Sequence, residues 1–411
     1  MAKWNQIFDP MVVVERIESS KTLTADGNVS FAGFAHTEHL SILTGMLCLN
    51  SAIPEGEARR IMARAVSAAA LAGKVTCESI LSHAEAMERA YLGSPKRRFR
   101  LITSISAAFQ GGPLCVRYQS AQLCFGWRGS KIASTAHARR VQHAKESVYG
   151  ELPSFYSPVS VLVDARNPEE AATLALDQLD LHRSIWNYWK NRSQAIRMSS
   201  GKLAPVNAII LGPIHTLHTE KGELASQEWW YEPSYLGPVT VWRDAQRRIK
   251  MREFTVYVRG ALRKLPYSDA IAAVLIRYVR ALDLRDWNSS LLQLWSMLET
   301  LTGTGVADGH KVTARRVAFL FKNTAYATQV LTHLRDYRNS AVHTGKQNQH
   351  VETLMYQAKN FVEALLNFHL ARAGQFQTIG DVATFLDQPP GLAELDKQIA
   401  RLKAVRKYIA G

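Results

Sequence analysis

The chain has 411 residues, 47% of them hydrophobic and 21% charged. That is enough apolar side chain for two or three buried cores, and it excludes a disordered or low-complexity polymer. Fifty lysines and arginines stand against 35 acids, a net charge of +15, and such a surplus favours a polyanionic partner because every phosphate contact releases counterions.

The opening stretch, MAKWNQIFDPMVVVERIESS, carries Asp9 and Pro10 early and lacks the long apolar core of a signal peptide. Within it MVVVERI reads as a strand. EGEARRIMARAVSAAALAG has helical spacing with a stop at Gly73, and ESILSHAEAMERAYLG is a second helix ending at Gly93. From Lys96 the texture becomes aromatic and β-branched. RFRLITSISAAF and PLCVRYQSAQLCFGW are expected as two strands around a QGGP turn. A helix through TAHARRVQHAKESVYG and a buried strand, PVSVLVDA, follow. The stretch NPEEAATLALDQLDLHRSIWNYWKN is a helix with Asn167 as N-cap, Pro168 at the first helical position and two acids in the first turn. VNAIILGPIHTLHTEKGELASQEWWYEP reads as a hairpin with EKGE at its tip.

After Pro266 the strand signals stop. YSDAIAAVLIRYVRALDL, NSSLLQLWSMLETLTG (capped by Asn288 or Ser289 and stopped by Gly303), HKVTARRVAFLFKN, AYATQVLTHLRDYRNSAVHTG and QHVETLMYQAKNFVEALLNFHLARAG each carry a periodic apolar stripe. The expected fold is an α+β N-terminal region with an antiparallel or mixed sheet over 1–255, divisible at about residue 95, followed by an all-α bundle over 266–375. A basic amphipathic tail helix behind DQPPG fills 376–411.

The four cysteines, Cys48, Cys77, Cys115 and Cys124, form no C-x-x-C pair and have no metal-ligand spacing to a histidine. They are expected as reduced thiols of an intracellular protein. No apolar run reaches membrane-spanning length, so a soluble cytoplasmic chain without membrane contact is expected. The pairs His215/His218 and His36/His39 lack a third ligand, and nothing matches a phosphate loop or a nucleophile elbow, so neither a cofactor nor a metal is expected. Basic clusters at Lys96, Arg97, Arg98 and Arg100, at Arg139 and Arg140, and at Arg243, Arg247, Arg248, Lys250 and Arg252 could follow an RNA backbone, with Phe99 and Trp242 stacking bases. Each alone is more readily a solvated face, but with the +15 charge at least one is expected to contact RNA. The tail basics Arg401, Lys403, Arg406 and Lys407 could do likewise or repel a fold-back of the tail.

RDYRNSAVHTGKQ, from Arg335 to Gln347, carries the sharpest signal. Asn339 and His343 are an i, i+4 pair on one helix face. Arg338 precedes His343 by five positions, turned off that face and about 7.5 Å along the axis. The two converge on one group only if the helix bends or ends, or if a second subunit contributes. Gly345 suggests a left-handed helix end, whose negative dipole would raise the pKa of His343. A guanidinium that grips phosphate, an imidazole that moves a proton and an orienting amide suit phosphodiester cleavage without a metal, if the nucleophile is the RNA's own 2′-hydroxyl. A basic residue that merely stabilises a helix C-terminus is the plain alternative.

RNSAVH fits the R-N-x-x-x-H form of the signature of HEPN domains, and its flanks resemble the ApeA-like branch of that family. LLQLWSMLETLTG, with Trp295, Leu298 and Glu299, resembles its second helix, KVTARRVAFLF its third, LRDYRNSAVHTG the motif helix and VETLMYQAKNFVEALL the closing helix. The likeness covers about residues 267–373. It implies a metal-independent endoribonuclease that acts as a homodimer, with two motif helices facing one cleft. His343 would be the acid–base residue, Arg338 the phosphate and transition-state contact, and Asn339 the group orienting histidine or substrate. Glu299 would complete the site, paired with Arg338 or Arg335, or else stand as a partly exposed carboxylate. Arg335 and Lys346, with Arg97, Arg98, Arg247 and Arg248, would contact RNA. Relatives act as toxins or in anti-phage defence by abortive infection, cutting tRNA or other RNA. The N-terminal region would then sense a phage-derived trigger or position substrate. The alternative is an inactive HEPN-like dimerisation or RNA-binding adaptor.

Overall fold

The computed structural model describes residues 2–24, 26–31, 35–108, 114–118, 120–126, 130–146, 150–194, 204–235, 237–243, 247–305, 309–344 and 350–410; at 247, 248, 310 and 341–344 it describes the backbone only. The first unit contains β1 (Lys3–Trp4), α1 (Met11–Ser20), β2 (Lys21–Leu23), β3 (Val29–Phe31), α2 (Ala35–Met46), β4 (Leu47–Cys48), α3 (Glu55–Ala72) and α4 (Cys77–Gly93). Ile17, Leu43, Ile61, Met62, Val66 and Ile80 form its core. MVVVERI is helical here, which corrects the strand expectation. Three adjacent valines favour a strand locally. Two things override them: Asp9 Oδ1 accepts the Met11 N–H at 3.0 Å, and Val14 and Ile17 bury one helical face. Gly73 ends α3 at φ 141°, a value that suits glycine.

The second unit holds β5 (Arg97–Ile105), β6 (Leu114–Arg117), β7 (Ala121–Phe125), α5 (Lys131–Lys145), β8 (Ser157–Ala165), α6 (Pro168–Asn191), β9 (Ile214–Thr219) and β10 (Trp230–Tyr231). These strands form one antiparallel sheet in the order β10-β9-β5-β8-β7-β6. The expected QGGP turn, 110–113, lies outside the described residues, and β5 pairs with β8 and β9. PLCVRYQSAQLCFGW is itself the hairpin, with Arg117 opposite Gln122 and Cys115 opposite Cys124. Those two cysteines are joined as a cross-strand disulfide, so of the four expected thiols two, Cys48 and Cys77, are free. Register brings Cys115 and Cys124 together, with Cα atoms 4.2 Å apart, as narrow pairs of an antiparallel ladder do.

One sheet face, with Phe99, Leu101, Leu123, Phe125, Val161 and Val163, packs on Ala171, Ala172, Ala175, Leu179 and Trp186 of α6. The start of α6 follows its sequence signals: Asn167 Oδ1 accepts the Glu170 N–H at 2.8 Å and Pro168 opens the helix. Asn167 Nδ2 also donates to the buried Glu57 carboxylate at 2.8 Å. Asn167→Ala should therefore lower stability by about 2 kcal/mol, roughly half from the lost cap and half from the carboxylate left short of a donor. Urea denaturation measures it, and a cost near zero contradicts the double role.

The helical part comprises α7 (Arg247–Lys264), α8 (Ser268–Asp283), α9 (Trp287–Leu301), α10 (Gly309–Ala318), α11 (Thr324–Thr344), α12 (Val351–Ala371), α13 (Ile379–Leu386) and α14 (Leu392–Ile409). Its core runs through Ile271, Leu275, Leu294, Trp295, Leu331, Leu334, Val362 and Leu366. The chain is thus an α+β region with an antiparallel sheet followed by a helical bundle. The boundary at 255 falls inside α7, whose Phe254, Val258 and Ala261 belong to the helical core. Val382 and Leu386 of α13 belong there too, so only α14, which buries no residue, stands apart as a tail. The cap of α9 is Asp286, accepting from the Asn288 and Ser289 N–H groups, in place of Asn288 or Ser289. Leu181, Ile185 and Tyr188 of α6 also enter the helical core, so α6 is shared by both halves. Among the described residues no helix is long and apolar enough to cross a membrane.

Candidate functional site

Helix α11 buries Ala327, Leu331 and Leu334 against its neighbours, a stripe spaced four and three residues apart. The next position on that stripe is Arg338, where apolar packing gives way to a half-buried guanidinium. Its Nη1 donates to Asn339 Oδ1 at 3.1 Å. Arginine therefore sets the amide's orientation, turning the Nδ2 donor end away from itself. One residue earlier, Tyr337 donates from its hydroxyl to Asn288 Oδ1 of α9 at 2.6 Å, which pins the motif turn to α9.

The helix continues without a break through Thr344; the expected end at Gly345 lies outside the described residues. The His343 side chain, Gly345 and Lys346 lie outside the described residues. On a continuous helix, positions 338 and 343 are about 140° apart around the axis and about 7.5 Å apart along it. Within one chain the two positions thus lie on different faces of the helix.

Glu299 is half-buried and accepts a hydrogen bond from Trp295 Nε1 at 2.8 Å, one turn back on α9. Arg335, one of its two expected partners, bonds Asp336 at 2.6 Å instead. The Trp295 indole is thus one partner of the carboxylate.

The basic clusters separate into exposed and structural groups. Arg97 is exposed. Arg98 is half-exposed and lies 3.0 Å from Asp164 and 3.8 Å from Glu220. Arg100 donates to Ser160 Oγ at 2.8 Å. Phe99 is only 5% exposed and belongs to the sheet core, which rules out base stacking: strand alternation turns it inward between outward arginines. Arg140 is buried on Ile214 O and Ser104 Oγ, and Arg139 donates to Gly222 O at 2.6 Å, so that pair fastens α5 to the sheet. The side chains of Arg247 and Arg248 lie outside the described residues. Those of Arg401, Lys403, Arg406 and Lys407 are exposed on α14.

His215 and His218 are both buried in β9 and held separately. His215 Nδ1 is 2.7 Å from Thr103 Oγ1, and His218 Nε2 is 2.9 Å from Thr216 Oγ1. His36 stacks on Phe31 with ring centroids 4.0 Å apart. Two features escaped the sequence reading. One is a buried charge network of Asp180, Arg183, Glu232, Arg280 and Asp283. The other is a set of arginines, Arg117, Arg259 and Arg263, lining a cleft between the sheet and α7. The i, i+4 spacing of Arg259 and Arg263 was visible, but α7 itself had not been read as a helix. No family model matches the chain, and no curated protein and no solved structure matches it either.

Proposed function

We propose that the chain is a metal-independent endoribonuclease of the HEPN type, acting as a homodimer in anti-phage defence or as a toxin. One observation carries this reading: R-N-x-x-x-H lies on an unbroken helix, with a half-buried Arg338 one turn past Leu334 and already holding Asn339. The 140° divergence on one helix is resolved when two such helices face each other, so that Arg338 of one chain and His343 of the other address the same phosphate. His343 removes the proton of the 2′-hydroxyl. The 2′-oxygen bonds to phosphorus, the bond to the 5′-oxygen breaks, and that oxygen takes a proton from an imidazolium. Arg338 offsets the charge that builds on the phosphoryl oxygens. The products are a 2′,3′-cyclic phosphate and a 5′-hydroxyl. A cytoplasmic setting belongs to the same proposal.

The test is sequencing of RNA ends after induction, paired with cleavage of total RNA or tRNA in EDTA. His343→Ala and Arg338→Ala should each lower cutting by at least about a hundredfold. Cutting that persists in both variants rejects the assignment. RNA binding and dimers without any cutting would favour the adaptor reading.

A further inference from the structure

The sheet presents a second face, opposite the one buried on α6. Across it Arg117, Gln122, Leu162 and Arg100 stand in one register row, with Arg98 and Asp164 paired two residues further along. A cleft of about 330 Å³ opens here, walled by Arg98, Arg117 and Asp164. Round the β6–β7 turn a second cleft of about 460 Å³ lies between the sheet, α7 and the first turn of α8, walled by Arg117, Arg259 and Arg263. Arg117, Tyr118 and Ser120 line both, so the two form one groove bent round the turn.

The turn is braced. The Arg259 guanidinium lies 4.4 Å from the Tyr118 ring centroid and donates to Arg117 O at 2.5 Å. The Tyr118 hydroxyl is 2.7 Å from Nδ1 of the buried His182. Arg98 is neutralised by Asp164 and Glu220. Among the described residues Arg117, Arg259 and Arg263 have no ion-pair partner, although Asp269 lines the same cleft. Three cations against one carboxylate leave that end positive, and the amino end of α8 adds the positive pole of its dipole. Arg98 and Arg117 are three strand spacings and two residues apart, about 16 Å, which is more than a single phosphate spans.

We propose that this groove binds successive phosphates of a nucleotide chain, with Arg117 and Arg263 as the principal contacts and Arg259 holding the turn in shape. The proposal takes its substrate class from the ribonuclease reading and adds where the strand lies before it reaches α11. Free polyphosphate and an RNA strand share the required chemistry.

The experiment is fluorescence anisotropy with a single-stranded oligoribonucleotide of about ten nucleotides, on the full chain carrying His343→Ala so that the probe survives. Arg117→Gln with Arg263→Gln should weaken binding about tenfold or more and flatten the slope of log affinity against log salt by about 1.4, two contacts at about 0.7 each. Both residues are exposed, and thermal melting of the double and single variants confirms that they fold. Direct titration with ATP and with inorganic tripolyphosphate tells the two sources apart. Arginine-dependent binding of these assigns a free nucleotide, and binding of the oligonucleotide alone assigns a strand. Affinity and salt slope unchanged in every folded variant, or no binding by any probe, overturns the proposal. Cutting is not read, so an inactive wild type with arginine-dependent binding sinks the nuclease and keeps the groove. The reverse result does the opposite.

Discussion

Replacing Arg183 by methionine should cost about 3–5 kcal/mol of folding stability, the scale for removing one partner of a buried ion pair. Arg183 is fully buried. Its Nε and Nη2 donate to Asp180 Oδ1 at 3.0 and 2.7 Å, and its Nη1 reaches Ile209 O at 3.1 Å and Asp283 Oδ2 at 2.7 Å. Asp180 also pairs with Arg280, which reaches Glu232 at 2.6 Å. Methionine matches the volume and supplies no donor. It leaves Asp180 to Arg280 and Asp283 to the Asn207 amide, 2.8 Å away, with Ile209 O losing a donor. Arg183→Lys keeps the charge but loses the fork and should fall between. Urea denaturation decides. A methionine variant within about 1 kcal/mol of wild type would mean that the network is not needed for stability.

The location of this network gives it a second consequence. Asp180 and Arg183 sit on α6, Ile209 precedes β9, Glu232 follows β10, and Asp283 and Arg280 close α8. The same side chains therefore clamp the sheet to the helix that leads into the bundle. If the N-terminal half positions RNA for α11, this clamp is what holds the groove and the motif helix in one frame.

Local signals in the sequence were read well, and long-range ones were not. Asn167-Pro168-Glu-Glu specified the start of α6 because a cap needs only neighbours. The motif helix was legible for the same reason. MVVVERI failed because burial of Val14 and Ile17 outweighed β-branching. In α7 the apolar positions Met251, Phe254, Val258 and Ala261 carry helical spacing, hidden inside a run of arginines. The Cys115–Cys124 pairing depends on register, and Arg183–Asp283 joins residues a hundred positions apart, so neither has a local signature. For Glu299 one partner was within local reach, since Trp295 lies one turn back on the same helix.

Acidification from pH 7 to pH 5 should lower stability by roughly 4 kcal/mol or more, a large fraction of a typical domain's margin. Burial holds the His182 imidazole down to about 3, with Arg259 adding to the effect. Burial likewise lowers His218 to about 4 against the Gly222 carbonyl, and His369 to about 4 against the Leu301 carbonyl. The folded chain therefore keeps these rings neutral, while the unfolded chain protonates them from about pH 6.5 downward. Below that point each ring favours unfolding by about 1.4 kcal/mol per pH unit until its own folded value is reached. These three rings give roughly 5 kcal/mol by pH 5, and His137, lowered to about 4 by burial and Arg140, adds to the loss in the same direction. Asp283 works in the opposite sense. Burial raises it to about 6, only partly offset by Arg183, so the folded state takes up a proton early and recovers about 1 kcal/mol over this window. Glu232 is lowered to about 2, burial being outweighed by the His215 and Arg280 contacts, and its contribution is lost only between the ordinary carboxylate range and that value, below this window. Urea midpoints at pH 7, 6 and 5 should fall steadily. His182→Phe keeps the ring among Phe125 and Trp186 and should flatten the dependence by about 1.4 kcal/mol per pH unit. Equal midpoints at pH 7 and pH 5 would show that these rings are hydrated or already charged in the native protein, contrary to their burial.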